Sequence, residues 1–237
     1  TIYSTGSGQV DVTAATNVAL GEITTTSSAV NVTATAGAIT ETTAAETANL
    51  TGGVLTLTAS TGIGATGGVL DIETDATQLD LTSTTGGIFV TDLGAVQLGN
   101  GTGGVNTITS GNIEIVAANT ITTGGAISTG GLNGTINISN AAGGITLGNT
   151  VTANGSGSVT LLATGGLLTV NQLVSSTTGA LSLTGGTGVT HGVNGDLTTG
   201  TTGTIGVTAT LNDVTMVDGT IYSTGSGQVD VTAATNV

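Results

Sequence analysis

Pairs of aliphatic residues at i and i+2, separated by a polar residue, recur along the whole chain. They fall at Val10/Val12, Val30/Val32, Leu55/Leu57, Leu79/Leu81 and Ile113/Ile115, then at Ile136/Ile138, Val159/Leu161, Leu181/Leu183, Ile205/Val207 and Val229/Val231. Alternation with period two, rich in β-branched residues, predicts a strand with one face buried. The residue between the pair is Asp, Asn, Thr, Glu, Ser or Gly in every case, which places that column in water. One step beyond, Thr or Ser follows in most turns, at Thr13, Thr33, Thr58, Thr82, Ser139, Thr184, Thr208 and Thr232. Val116 and Leu162 interrupt that row. Stacked Thr suits an exposed strand face, where the branched side chain packs on its neighbour and the hydroxyl stays solvated.

Two further aliphatic anchors accompany each pair. Val18, Ile39, Ile63, Ile88, Ile121, Ile145, Leu168, Val189 and Val214 form the second set. Ile23, Leu50, Leu70, Val96, Ile127, Val151, Val174, Leu197 and Ile221 form a looser third. Between the sets lie GG, GN, NG and TGG, where Gly and Asn accept the backbone angles of a sharp corner. Three short strands per turn of ~24 residues predict an all-β, three-faced parallel β-solenoid, with a right-handed β-helix favoured. The gap of 34 residues between Leu79 and Ile113 reads either as one enlarged coil or as two small ones. The chain is therefore expected to hold 9–10 coils and to rise by roughly 43–48 Å per period at the usual strand spacing.

The period itself is long. Residues 1–18, TIYSTGSGQVDVTAATNV, return without a change as residues 220–237. This divides the chain into one full repeat, 1–219, and the start of the next, 220–237. The reading is a window on a longer tandem array, whose principal partner is itself through end-to-end continuation, with lateral filament association beside it.

Composition sharpens this picture mainly through what is missing. There is no Lys, Arg, Pro, Cys or Trp among 237 residues, while Gly contributes 42. Without Pro every backbone N–H is available to a ladder, and without Cys there is no disulfide or CxxC site. The formal charge of −14, with no cation to meet phosphate, excludes nucleic acid and anionic membrane surfaces as partners. No apolar run approaches the ~20 residues of a membrane span. A chain lacking Lys and Arg also offers trypsin-like proteases no cleavage site.

Few residues are candidates for chemistry, and the expectation is of no enzyme, no catalytic residue and no cofactor. Asp71, Glu73 and Asp75 alternate along DIETD and are the one metal candidate, for a structural calcium, against the simpler reading of a solvated acidic face. The GGxGxD calcium-solenoid motif is absent. His191, the only histidine, follows Val189 at a position taken elsewhere by Leu147, Val170 and Met216, which predicts a hydrogen-bonded structural imidazole near a corner. The Gly-rich stretches 99–104 and 130–134 lack the GxxxxGK[ST] of a phosphate loop and read as corners. N-x-[ST] sequons at Asn31, Asn49, Asn100, Asn133, Asn137 and Asn154 are expected by chance in so Thr-rich a chain.

Residues 55–123 and stretches such as VTLLATGGLLTVNQLVSSTTGALSLTGGTGVT (159–190) resemble the repeat regions of filamentous-haemagglutinin-like bacterial surface proteins. The likeness is one of composition and rhythm and covers nearly the whole chain. It implies a secreted, giant β-helical shaft at the bacterial cell surface, serving as an extracellular filament or adhesin stalk. Two other roles compete. The outward Thr rows are similar to those of ice-binding solenoids, and the acidic face suits a calcium-dependent extracellular matrix solenoid. A carbohydrate-active β-helix enzyme would need acid pairs and usually a basic residue, and the basic half is missing.

Overall fold

The computed structural model describes residues 2–42, 46–68 and 70–237. Within them the chain is all β: 28 strands join into one sheet wound on itself, and every pairing is parallel. Each strand pairs with the strand about three elements further on, so three faces repeat coil after coil. We call them A, B and C in the order the chain visits them from Val10.

Face A begins with Val10–Ala14 and Val30–Ala34, and face B with Val18–Leu20 and Ala38–Glu41. Face C begins with Ile2–Thr5 and Glu22–Thr25. Two long strands run round corners without a break, Leu50–Ala59 from C to A and Ile72–Ser83 from the end of B through C to A. Inward side chains form continuous aliphatic columns. On face B, Ile113, Ile136, Val159, Leu181, Ile205 and Val229 lie directly over one another. The first five are 0–1% exposed, and each such side chain contributes ~1.5–3 kcal/mol when buried.

The 34-residue gap is neither one coil nor two. Val105 stacks on Leu81 and Thr107 on Ser83, which closes the coil on face A. Ile113 stacks on Ile88 and Ala117 on Asp92, one face further round. The gap is thus a coil plus a face. The cause lies in strand width. Face A carries five paired residues at 30–34 and 55–59 but only three at Val105–Thr107. Face B widens from Gly62–Ile63 to the five residues Ile88–Asp92. The wide side of the triangle passes from A to B within one coil, and the Val-x-Val signature moves with it.

The identical segments consequently occupy different faces. Val10–Ala14 lies on A, whereas Val229–Ala233 lies on B, paired residue for residue with Ile205–Ala209. Likewise Ile2–Thr5 pairs on C and Tyr222–Ser223 on A. The two Val pairs are therefore not the same strand position one period apart. The 219-residue period spans nine coils and one face.

Two anchors of the third column are also displaced. Leu70 is 49% exposed in the loop before Ile72, and Thr74 takes the place over Leu50. Ile221 is 58% exposed, and Tyr222 takes the place over Leu197.

Candidate functional site

The regular triangle is interrupted where faces B and C meet in the second and third coils. The chain leaves face B at Glu41 and reaches face C only at Leu50. In the next coil it leaves face B at Ile63 and resumes it at Ile72, after an inserted loop. Ile63 and Ile72 then sit side by side beneath Ile88 and Val90, so the insertion leaves the core column intact.

These detours gather carboxylates. Glu41 ends its strand over Leu20, an inward position, and is 91% buried. Glu73 alternates outward from Ile72, yet only 1% of it is exposed. Asn49 lies against it: the Glu73 N–H donates to Asn49 Oδ1 at 3.1 Å, and the Asn49 N–H donates to the Glu73 carbonyl at 2.8 Å. Asp71 is 5% exposed, and one of its oxygens accepts from the Thr91 hydroxyl. Glu46 approaches from the first detour. Oxygens of Glu46, Asp71 and Glu73 all lie within 4.8 Å of one another. Asp75, by contrast, is exposed and stands apart from this group. Strand alternation would put Asp71, Glu73 and Asp75 on one wet face; instead Asp71 and Glu73 are buried, with Asn49 and Glu46 against them, and Asp75 alone stays exposed.

The electrostatics follow from burial. Desolvation, then the nearby charges of Glu41 and Asp71, push the Glu73 carboxyl up to about 7. Both oxygens of Glu41, both of Glu73 and one of Asp71 are buried and meet no N–H, amide or hydroxyl donor, and the Glu41 and Glu73 carboxyls have only each other as hydrogen-bond partners. Asp92 shows the contrasting case. Also fully buried, it accepts from the Thr74 hydroxyl at 2.8 Å, the Ala76 N–H at 3.1 Å and the Gly94 N–H at 2.9 Å. Burial raises its pKa, and those three donors oppose the rise.

His191 is fully buried, deeper than a corner position implies, over Val170 and under Met216. Its Nδ1 lies 2.7 Å from the Gly195 carbonyl, which can only accept, so Nδ1 carries the proton. Nε2 is left as an acceptor for the Tyr222 hydroxyl, also at 2.7 Å. The rings meet edge to face, with centroids 5.1 Å apart. The pair ties face C to face A across the core. Burial lowers the His191 pKa from its ordinary 6.5 and raises that of Tyr222. The unfolded chain therefore takes up a proton first as pH falls. Stability from the neutral imidazole is present above pH 6.5 and is lost as pH drops from there through the lower folded value. Relative to a His191→Met variant, the wild type is expected to lose melting temperature between pH 7.5 and 5. A constant difference across that range would contradict a buried neutral imidazole.

The remaining candidates are corners. In 99–104, Gly99 and Gly101 have φ of 71° and 89°, and Asn100 Oδ1 accepts from the N–H groups of Thr102 and Gly103. In 130–134, Asn133 has φ of 55°, and its Oδ1 accepts from the Ser156 N–H at 2.8 Å. Asn49, 6% exposed and bonded to Glu73, is closed to glycosylation. The longest outward Thr ladder, Thr122–Thr146–Thr169–Thr190–Thr215, is one residue wide on face C, too narrow for a two-dimensional lattice match. Among the described residues no helix is long and apolar enough to cross a membrane. No protein-family model, curated protein or solved structure matches the chain.

Proposed function

We propose that this chain is a structural repeat of a secreted giant β-solenoid that forms an extracellular filament or adhesin shaft, at the bacterial surface. One observation carries the reading. The second copy of the 18-residue segment continues the solenoid as an ordinary rung, with Val229–Ala233 in register over Ile205–Ala209 and the Val214 N–H donating to the Asn236 carbonyl. The wide face supports it. Val10–Ala14 is a five-residue strand, and the one-face slip delivers its copy onto face B, which is by then the five-residue side. A period of whole coils would set that strand on the narrow side instead. The slip makes the join continuous.

The function is then mechanical. Parallel ladders run unbroken along the axis, stability accumulates through nearest-neighbour interfaces, and the net negative charge keeps shafts soluble and apart. A protein of two and then three tandem 219-residue units tests this. Nine coils and a face rise by roughly 45 Å, so small-angle scattering or electron microscopy is expected to show a rod lengthening by that amount per unit. Units that collapse against one another, or behave as beads on a flexible string, would overturn the shaft.

A further inference from the structure

We infer that Glu46, Asp71 and Glu73, with Glu41 behind Glu73, form a Ca²⁺ site that ties two successive coils together at the B–C corner. This stands independently of the filament reading, because it concerns a single copy.

Acidic side chains cluster on many surfaces without binding anything. Here the decisive fact is that the cluster is not on the surface. Glu73 is 99% buried and Glu41 91%, and no N–H, amide or hydroxyl donates to either carboxylate; each has only the other acid for a partner. A buried carboxylate needs a compensating partner, and elsewhere the fold supplies one, as the three donors around Asp92 show. The chain contains no Lys or Arg, and its only histidine is bonded to Gly195 and Tyr222. The chain itself places no cation at this corner, so a positive partner would come from solution.

The donor set selects the ion. Carboxylate oxygens are hard ligands, and no thiol or imidazole stands among them, which turns the site away from zinc and copper. Mg²⁺ holds tightly to several waters and suits open sites with one or two carboxylates, whereas Ca²⁺ accepts many oxygens in irregular geometry. Two carboxylates buried to this degree, with a third beside them, favour Ca²⁺. Glu46, an exposed residue, completes the group from the first detour. Asp71 enters from the second, and Glu73 and Glu41 from the solenoid wall. The ion would therefore join two successive coils.

The test uses the whole chain in 150 mM NaCl at pH 8. Titration with CaCl₂ by isothermal calorimetry is expected to show roughly one tight equivalent above a weak background from the exposed carboxylates. The melting temperature should rise in CaCl₂ and return in EGTA. Glu73→Gln removes a buried charge, so it is expected to melt higher than wild type in EGTA and to lose the calcium response. Glu46→Gln alters an exposed group, keeps the fold and should weaken binding at least tenfold. Asp75→Asn should leave both readouts unchanged. A wild-type melting temperature equal in CaCl₂ and EGTA, or a tight equivalent that survives in both Glu73→Gln and Glu46→Gln, would overturn the site.

Discussion

Truncation of Leu161 to alanine is expected to destabilise the solenoid by about 2–5 kcal/mol. Leu161 is fully buried on face B between Ile138 below and Leu183 above, both 0–1% exposed. The rungs on either side are fixed by continuous backbone pairing, so they cannot close over the space left behind, and the cavity cost adds to the lost burial. Because each coil touches mainly its neighbours, the loss is expected to be local. Hydrogen exchange should quicken first in 136–140, 159–163 and 181–185, while the coils near Val30 and Leu55 keep their protection. Leu162→Ala is the matched control. It faces outward, 37% exposed, and is expected to change stability by no more than about 0.5 kcal/mol. Equal effects at the two positions would mean that the inward and outward columns are misassigned.

The second large effect is expected at Gly157. A methyl group there would come within 1.9 Å of the Gly134 carbonyl oxygen in the coil below. Gly179 makes the same approach to the Gly157 carbonyl, and Gly227 to that of Gly203. These glycines form the corner between faces A and B, where consecutive coils come into backbone contact. Gly157→Ala must push two rungs apart against the ladders on both sides, at a cost of about 1–3 kcal/mol. Gly131→Ala, with nothing within 4 Å, should be neutral or stabilising by about 0.4–1 kcal/mol. Urea denaturation of both variants separates steric crowding at the corner from a general need for glycine.

How much of this could be read beforehand depends on what a two-residue period encodes. It distinguishes inside from outside, and so the aliphatic pairs, the corners and the three-faced solenoid were legible. It does not say which side of the triangle a strand occupies. Leu79 and Ile113 carry the same signature, and only pairing shows that Val105 stands over Leu81 and Ile113 over Ile88. The acidic corner was half legible for a similar reason. DIETD marked Asp71 and Glu73, but alternation alone counted Asp75 with them. Glu41 and Glu46 arrive from a preceding coil. Their signal was length: eight residues separate Glu41 from Leu50, where three separate Ala117 from Ile121 and four separate Ala209 from Val214. Thr74 is a third instance. Its inward place over Leu50 depends on the Asp92 carboxylate that receives its hydroxyl, a partner 18 residues away that no local pattern announces.

The extra face in each period changes what an array of copies would look like from outside. Successive units would be related by a screw of one third of a turn, so three would pass before any residue returned to the same azimuth. The acidic corner would then climb the shaft as a spiral staircase, one landing roughly every 45 Å, facing each of three directions in turn. A period of whole coils would stack every landing on one side and favour flat ribbons. With the screw, such an array would present the corner to neighbours on all sides, and its lateral assembly would be a bundle.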